Sequence, residues 1–127
     1  MGNNVTHKLI VLVDDDETNN FICKKMLKIF DPSIKTMEFM DPTAALNYLR
    51  DNTTDRISLL LLDLNMPKIN GWQFLENMAA DMVSSNVVIL TSSIDPNDVQ
   101  KAKQENKIKD FWTKPLTLDM LGKYFAG

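Results

Sequence analysis

Lys8-Leu9-Ile10-Val11-Leu12-Val13, running directly into Asp14-Asp15-Asp16, is the stretch that decides the fold. A short, continuous apolar run of this kind is what a strand buried on both faces looks like, and such strands belong to parallel sheets covered by helices. Its abrupt end at three aspartates means that an apolar strand delivers acids at its carboxyl end.

The same arrangement recurs along the chain. Ile57 to Leu62 (ISLLLL) is a buried strand ending at Asp63, and Asn86 to Leu90 (NVVIL) is one ending at Thr91-Ser92-Ser93. Ile108 to Thr113 is a further strand, ending at Thr113-Lys114, and Ile34 to Met40 alternates as a half-buried strand does. Helices separate them. Glu17 to Phe30 carries an apolar stripe at 22, 26, 29 and 30 and is broken by Asp31-Pro32-Ser33. Asp41-Pro42 is an N-cap followed by proline in the first turn, opening a helix to about Arg50 with Ala45, Leu46 and Leu49 inward. After a loop over 66–71, Trp72 to Met82 is read as a helix carrying Phe74, Leu75 and Met78. Asp95-Pro96 opens a polar helix to about Asn106, and Thr117 caps a last helix through Phe125. Five β-α units in succession predict a parallel sheet with helices on both faces, a doubly wound α/β fold. With no linker or low-complexity segment in view, residues 1–127 are read as one domain with a core over about 7–125.

Composition narrows the function. At 44% hydrophobic and 24% charged the chain has ordinary globular make-up, and a net charge of −3 with a pI near 5.0 offers no basic footprint for nucleic acid. The single cysteine, Cys23, excludes an intrachain disulfide and is read as a small core residue suited to a reducing cytoplasm. No apolar run approaches the roughly 18 residues that span a bilayer, so no membrane insertion is expected.

In open α/β sheets functional groups gather at the carboxyl ends of the strands. Here that edge collects Asp14, Asp15, Asp16, Asp63, Thr91, Ser92, Ser93, Thr113 and Lys114. Clustered carboxylates repel one another and either take up protons or recruit a cation. All-oxygen donors select a hard ion, Mg²⁺ or alternatively Mn²⁺. The only histidine, His7, precedes the first strand and lies away from this edge. A cation, a lysine and hydroxyls around one aspartate form a site for a phosphoryl group. Asp16 and Glu17 read as first-turn acids favouring the helix end.

Four motifs in order resemble the receiver domains of two-component response regulators. They are Val13-Asp14-Asp15-Asp16, then Asp63-Leu64-Asn65-Met66-Pro67 with Gly71 eight residues after the aspartate, then Thr91-Ser92-Ser93, then Lys114-Pro115. The resemblance covers essentially the whole chain. It implies a flavodoxin-like (βα)5 fold with strand order 2-1-3-4-5. It also implies that Asp63 is the phosphoacceptor and that Mg²⁺ is held by Asp14, Asp15, Asp63 and the backbone carbonyl of Asn65. Thr91 and Lys114 would bind the phosphoryl oxygens, and Thr91 and Phe111 would be the switch pair. A cis Lys114-Pro115 bond is part of the pattern.

The implied partners are a histidine kinase or histidine phosphotransfer protein as donor, and an unidentified downstream protein. The implied activity is that of a stand-alone switch rather than an enzyme, which changes a protein-interaction surface or passes the phosphoryl group on, and otherwise loses it slowly by hydrolysis. Two departures from the pattern stand out. Lys107 and Ile108 occupy positions where many receivers carry glycine and alanine, and Phe111 lacks the hydroxyl of a tyrosine. A metal-dependent phosphatase using an aspartyl phosphate is the enzyme-class rival, but it needs an acid two residues after the nucleophile, where this chain has Asn65. A flavodoxin-like electron carrier would need a phosphate-binding loop rich in Ser, Thr and Gly after the first strand, which the three aspartates replace.

Overall fold

The computed structural model describes residues 8–51, 56–78, 86–93 and 95–126. Five strands, β1 (Leu9–Val13), β2 (Lys35–Phe39), β3 (Leu59–Leu62), β4 (Val87–Thr91) and β5 (Ile108–Thr113), form one parallel sheet in the order β2-β1-β3-β4-β5. Five helices alternate with them: α1 (Glu17–Phe30), α2 (Pro42–Asp51), α3 (Gly71–Asn77), α4 (Pro96–Gln104) and α5 (Leu118–Ala126). This is the doubly wound architecture expected from the strand pattern.

Because side chains alternate across a strand, each central strand feeds two cores. Val11, Val13, Leu60, Leu62, Val87 and Ile89 face α2 and α3. Ile10, Leu12, Leu59, Leu61, Val88 and Leu90 face Cys23 and Leu27 of α1 and Leu121 of α5. Every residue of β1, β3 and β4 is buried, as the uninterrupted apolar runs predict, whereas β2 and β5 at the edges are only partly covered.

Local chemistry sets the helix ends. Asp16 caps α1, Asn70 and Gln73 form a reciprocal capping box at α3, and Asp95 followed by Pro96 opens α4. Asp41 accepts from the Thr43 N–H at 3.0 Å and Thr117 from that of Met120 at 3.2 Å.

Three expectations shift. The fully buried residues of α1 are Asn19, Asn20, Cys23 and Leu27; of the expected stripe, Met26 and Phe30 pack against the same core while partly buried, whereas Ile29 is 61% exposed. Helix α3 starts one residue early, at Gly71, and ends at Asn77 with Met78 as its C-cap. Residues 79–82, like His7, lie outside the described residues. Helix α4 ends at Gln104, two residues short of Asn106. Among the described residues no helix is long and apolar enough to cross a membrane.

Lys107, just before β5, and Ile108, its first residue, are the two departures, and the backbone around them has visible features. Lys107 Nζ donates to the carbonyls of Leu75 at 3.0 Å and Met78 at 3.3 Å, so it closes the C-terminal end of α3 from a distant loop. Val87 pairs with Ile108 but Val88 pairs with Asp110, so Lys109 is an extra residue and β5 bulges there.

Candidate functional site

The sheet register brings the strand ends together before any side chain is considered. The Asp14 N–H donates to Phe39 O at 3.0 Å, Asp63 N–H to Val13 O at 3.0 Å, and Lys114 N–H to Thr91 O at 2.9 Å. Four strand ends thereby place Asp14, Asp63, Thr91 and Lys114 on one edge. All are buried except Lys114, whose side chain is nearly so.

Of the clustered carboxylates, Asp14 is heavily bonded. Its Oδ1 accepts from the Asp16 N–H at 2.8 Å, and its Oδ2 accepts from Asn19 Nδ2 at 2.8 Å and lies 2.8 Å from Lys114 Nζ. Asn20 Nδ2 donates to the Asp14 carbonyl at 2.9 Å. Asp63 is bonded less. Its Oδ2 lies 3.8 Å from Lys114 Nζ, while its Oδ1 is buried with no hydrogen-bond partner. One oxygen each from Asp14, Asp15 and Asp63 falls within 4.8 Å of the others.

An orphaned carboxylate oxygen inside a three-carboxylate cluster, with no histidine or cysteine among the donors, fits a hard divalent cation. Asn65 is exposed in the loop after β3, and Asp16 is engaged as a helix cap.

Burial raises the Asp63 pKa to about 6, and the charge of Asp14 adds to this. Lys114, the Thr91 hydroxyl and the Asn65 N–H pull the other way. Burial lowers the Lys114 pKa, but its hydrogen bond to Asp14 and the charges of Asp14, Asp63 and Asp16 outweigh burial, so the net shift is upward. Cys23, beneath the cluster, is pushed up to about 12, first by burial and then by Asp14, which makes it an inert thiol.

Gly71 has a steric reason. Its N–H donates to Leu64 O at 2.9 Å, closing the loop after Asp63. A Cβ at this position would lie 2.7 Å from Asp63 O and 2.9 Å from Leu64 Cα. Only glycine lets α3 start this close to the strand end.

Thr91 is fully buried, and its Oγ1 accepts from the Ser93 N–H at 3.2 Å. Phe111 stands apart from the acids, opposite Ile89 in the register, and lines an open groove of about 370 Å³ with Val99, Ala102 and Ile108. The Lys114-Pro115 bond is cis.

The sequence reading missed Asn19 and Asn20. Their signal was present as two amides in the first turns of a helix directly after the acids, at positions an apolar-stripe search passes over.

The response regulator receiver domain family matches residues 10–126. Response regulator Rcp1 of Synechocystis sp. (strain ATCC 27184 / PCC 6803 / Kazusa) is 30% identical over 126 residues, covering 94% of this chain and 85% of its own. Cyclic di-GMP phosphodiesterase response regulator RpfG of Xanthomonas campestris is 28% identical over 84% of this chain, which spans only 28% of that larger protein. A two-component response regulator from Cytophaga hutchinsonii superposes with a TM-score of 0.82 at 27% identity, over 95% of this chain and 96% of its own.

Proposed function

We propose, from the premise that the chain belongs to the response regulator receiver domain family, that it is a phosphoryl-accepting switch with Asp63 as the acceptor. The observation that carries this reading is the Asp63 carboxylate itself. It is buried and has one oxygen without a partner, yet it sits beside an ammonium and two further carboxylates.

The donor would be a phosphohistidine on a histidine kinase or phosphotransfer protein. A carboxylate oxygen of Asp63 attacks the phosphorus in line. The phosphorus–nitrogen bond breaks with its electron pair going to the imidazole, and an acyl phosphate forms. Mg²⁺, held by Asp14, Asp15, Asp63 and the Asn65 carbonyl, would supply neutralisation of the phosphoryl charge. The protein's own part is positioning. Asn19 and the Asp16 N–H hold Asp14 in a fixed rotamer, and Lys114 lies within a short movement of a phosphoryl oxygen. The buried Thr91 hydroxyl donates to another. Water later hydrolyses the acyl phosphate, and Asn65, which carries no acid or base function, leaves that step slow. Phe111, beside the groove against α4, would carry the change in Thr91 to a protein-binding face.

The test is intact mass after incubation with acetyl phosphate. Gain of one phosphoryl group that needs Mg²⁺ and is absent in Asp63→Asn supports the reading. No adduct on the wild-type protein removes it. Steady turnover of a small phosphate ester would instead point to the phosphatase rival.

A further inference from the structure

Asp98 lies in the first turn of α4, where an acid ordinarily serves only the helix end. Here both of its oxygens are taken by other elements. Oδ1 accepts the indole Nε1–H of Trp72 at 3.1 Å, across from α3, and Oδ2 accepts the Ser93 hydroxyl at 3.1 Å, from the loop after β4. Ser93 in turn donates its backbone N–H to Thr91 Oγ1 at 3.2 Å. Lys101 Nζ, also on α4, stands 4.7 Å from the centre of the Trp72 ring, so one helix holds this indole by both edge and face. The result is a continuous chain from the surface of α3 through Asp98 and Ser93 to a fully buried hydroxyl at the acidic site.

A hydroxyl has one proton and two lone pairs. With the Ser93 N–H on its oxygen, Thr91 has one acceptor direction fixed, and its proton must point elsewhere. Two hydrogen bonds hold the Ser93 side chain: it donates to Asp98 Oδ2 at 3.1 Å and accepts from the Asp95 N–H at 3.4 Å, and the shorter one ties it to α4. Trp72 in turn keeps the Asp98 carboxylate from turning to solvent.

We propose that Asp98 is a positioning residue for phosphoryl transfer, acting through Ser93 to aim the Thr91 hydroxyl, with Trp72 as its anchor; this rests on the receiver reading above. Trp72, Asp98 and Ser93 make these contacts away from the carboxylates that would hold a cation, and only the Thr91 hydroxyl at the end of the chain of contacts bonds to one of them, Asp63. Loss of Asp98 therefore slows transfer without altering cation affinity.

The experiment measures the rate of phosphoryl uptake from phosphoramidate at saturating Mg²⁺. It compares wild type, Asp98→Ala, Ser93→Ala and the double variant, with Mg²⁺ affinity measured separately by NMR titration. Each single variant is expected to slow uptake about five-fold, since misplacing a catalytic group by a fraction of an ångström has effects of this order. The double variant should be no slower than either, because both substitutions cut the same link. Should Asp98→Ala fail to fold, Ser93→Ala removes that link from a loop and carries the test. An unchanged rate in the folded variants overturns the proposal and leaves Asp98 as a tie between α3 and α4. A double variant slowed by the product of the two single effects, or a parallel loss of Mg²⁺ affinity, overturns it too. If wild type takes up no phosphoryl group, the receiver reading itself fails, before any variant is compared, and this proposal falls with it.

Discussion

Lys114 Nζ lies 2.8 Å from Asp14 Oδ2 and 3.8 Å from Asp63 Oδ2, so the ammonium is bound to the supporting acid and only near the proposed acceptor. Lys114 is thus already neutralising the cluster that a cation would occupy, while standing one short movement from a group on Asp63.

Two opposite effects follow for Lys114→Ala. Removing the ammonium leaves Asp14, Asp15 and Asp63 with less compensation, so Mg²⁺ should bind about three-fold or more tightly. Phosphoryl uptake should slow by about ten-fold or more, because a charge donor to the transferring group is gone. Calorimetric titration with Mg²⁺ and uptake rates from acetyl phosphate, on the same preparation, check both signs. Weakened Mg²⁺ binding would contradict this account.

Gly71→Ala places a methyl group 2.7 Å from the Asp63 carbonyl and 2.9 Å from Leu64 Cα. Backbone on both sides cannot yield as a flexible side chain would. A loss of about 1–3 kcal/mol in folding stability is expected, together with displaced NMR resonances at Asp63 and Leu64. Denaturant unfolding at fixed Mg²⁺ measures the first.

Asp63 gives stability an unusual pH dependence. Its pKa is about 6 in the folded protein against an ordinary 3.8, so the folded state binds the extra proton between those values. Stability from this group therefore falls as pH rises from about 4 to about 6, and the metal-free protein carries the full penalty at neutral pH. Asp63→Asn removes it. The variant should exceed metal-free wild type by roughly 1–3 kcal/mol at pH 7 and match it near pH 4. Mg²⁺ should raise the melting temperature of wild type far more than that of the variant. Equal stability at pH 7 would show that Lys114 already offsets the burial of Asp63.

The site was legible because its logic is topological. Apolar runs fix where strands end, and the carboxyl ends of a parallel sheet share one edge, so Asp14, Asp63, Thr91 and Lys114 could be placed together without coordinates. The face of α1 was only partly legible: Met26 and Phe30 pack on the core, but Asn19 and Asn20 are buried to bond Asp14. Their polarity hides them from a search for apolar periodicity, while Ile29 satisfies that search and stands in solvent. The bonds of Asp98 to Trp72 and Ser93 were out of reach for a different reason. They join residues 26 and 5 positions apart, and no spacing rule announces such contacts.

Lys107 offers the clearest separation of stability from function. Its ammonium is the partner of two carbonyls at the end of α3, Leu75 O and Met78 O, and it lies remote from the acids. Lys107→Met keeps the aliphatic stem and removes only the charge. About 1 kcal/mol of stability should be lost, the usual order for a partly exposed bond to a charged donor at a helix C-terminus. The Met78 amide, which donates to Leu75 O at 3.2 Å in that same final turn, should exchange its hydrogen faster. Phosphoryl uptake should not change, because no contact of Lys107 reaches Asp63, Thr91 or Lys114. Hydrogen exchange and uptake measured together on this variant decide the matter. A slowed uptake would mean that the end of α3 communicates with its beginning, where Gly71 is packed against the backbone of Asp63.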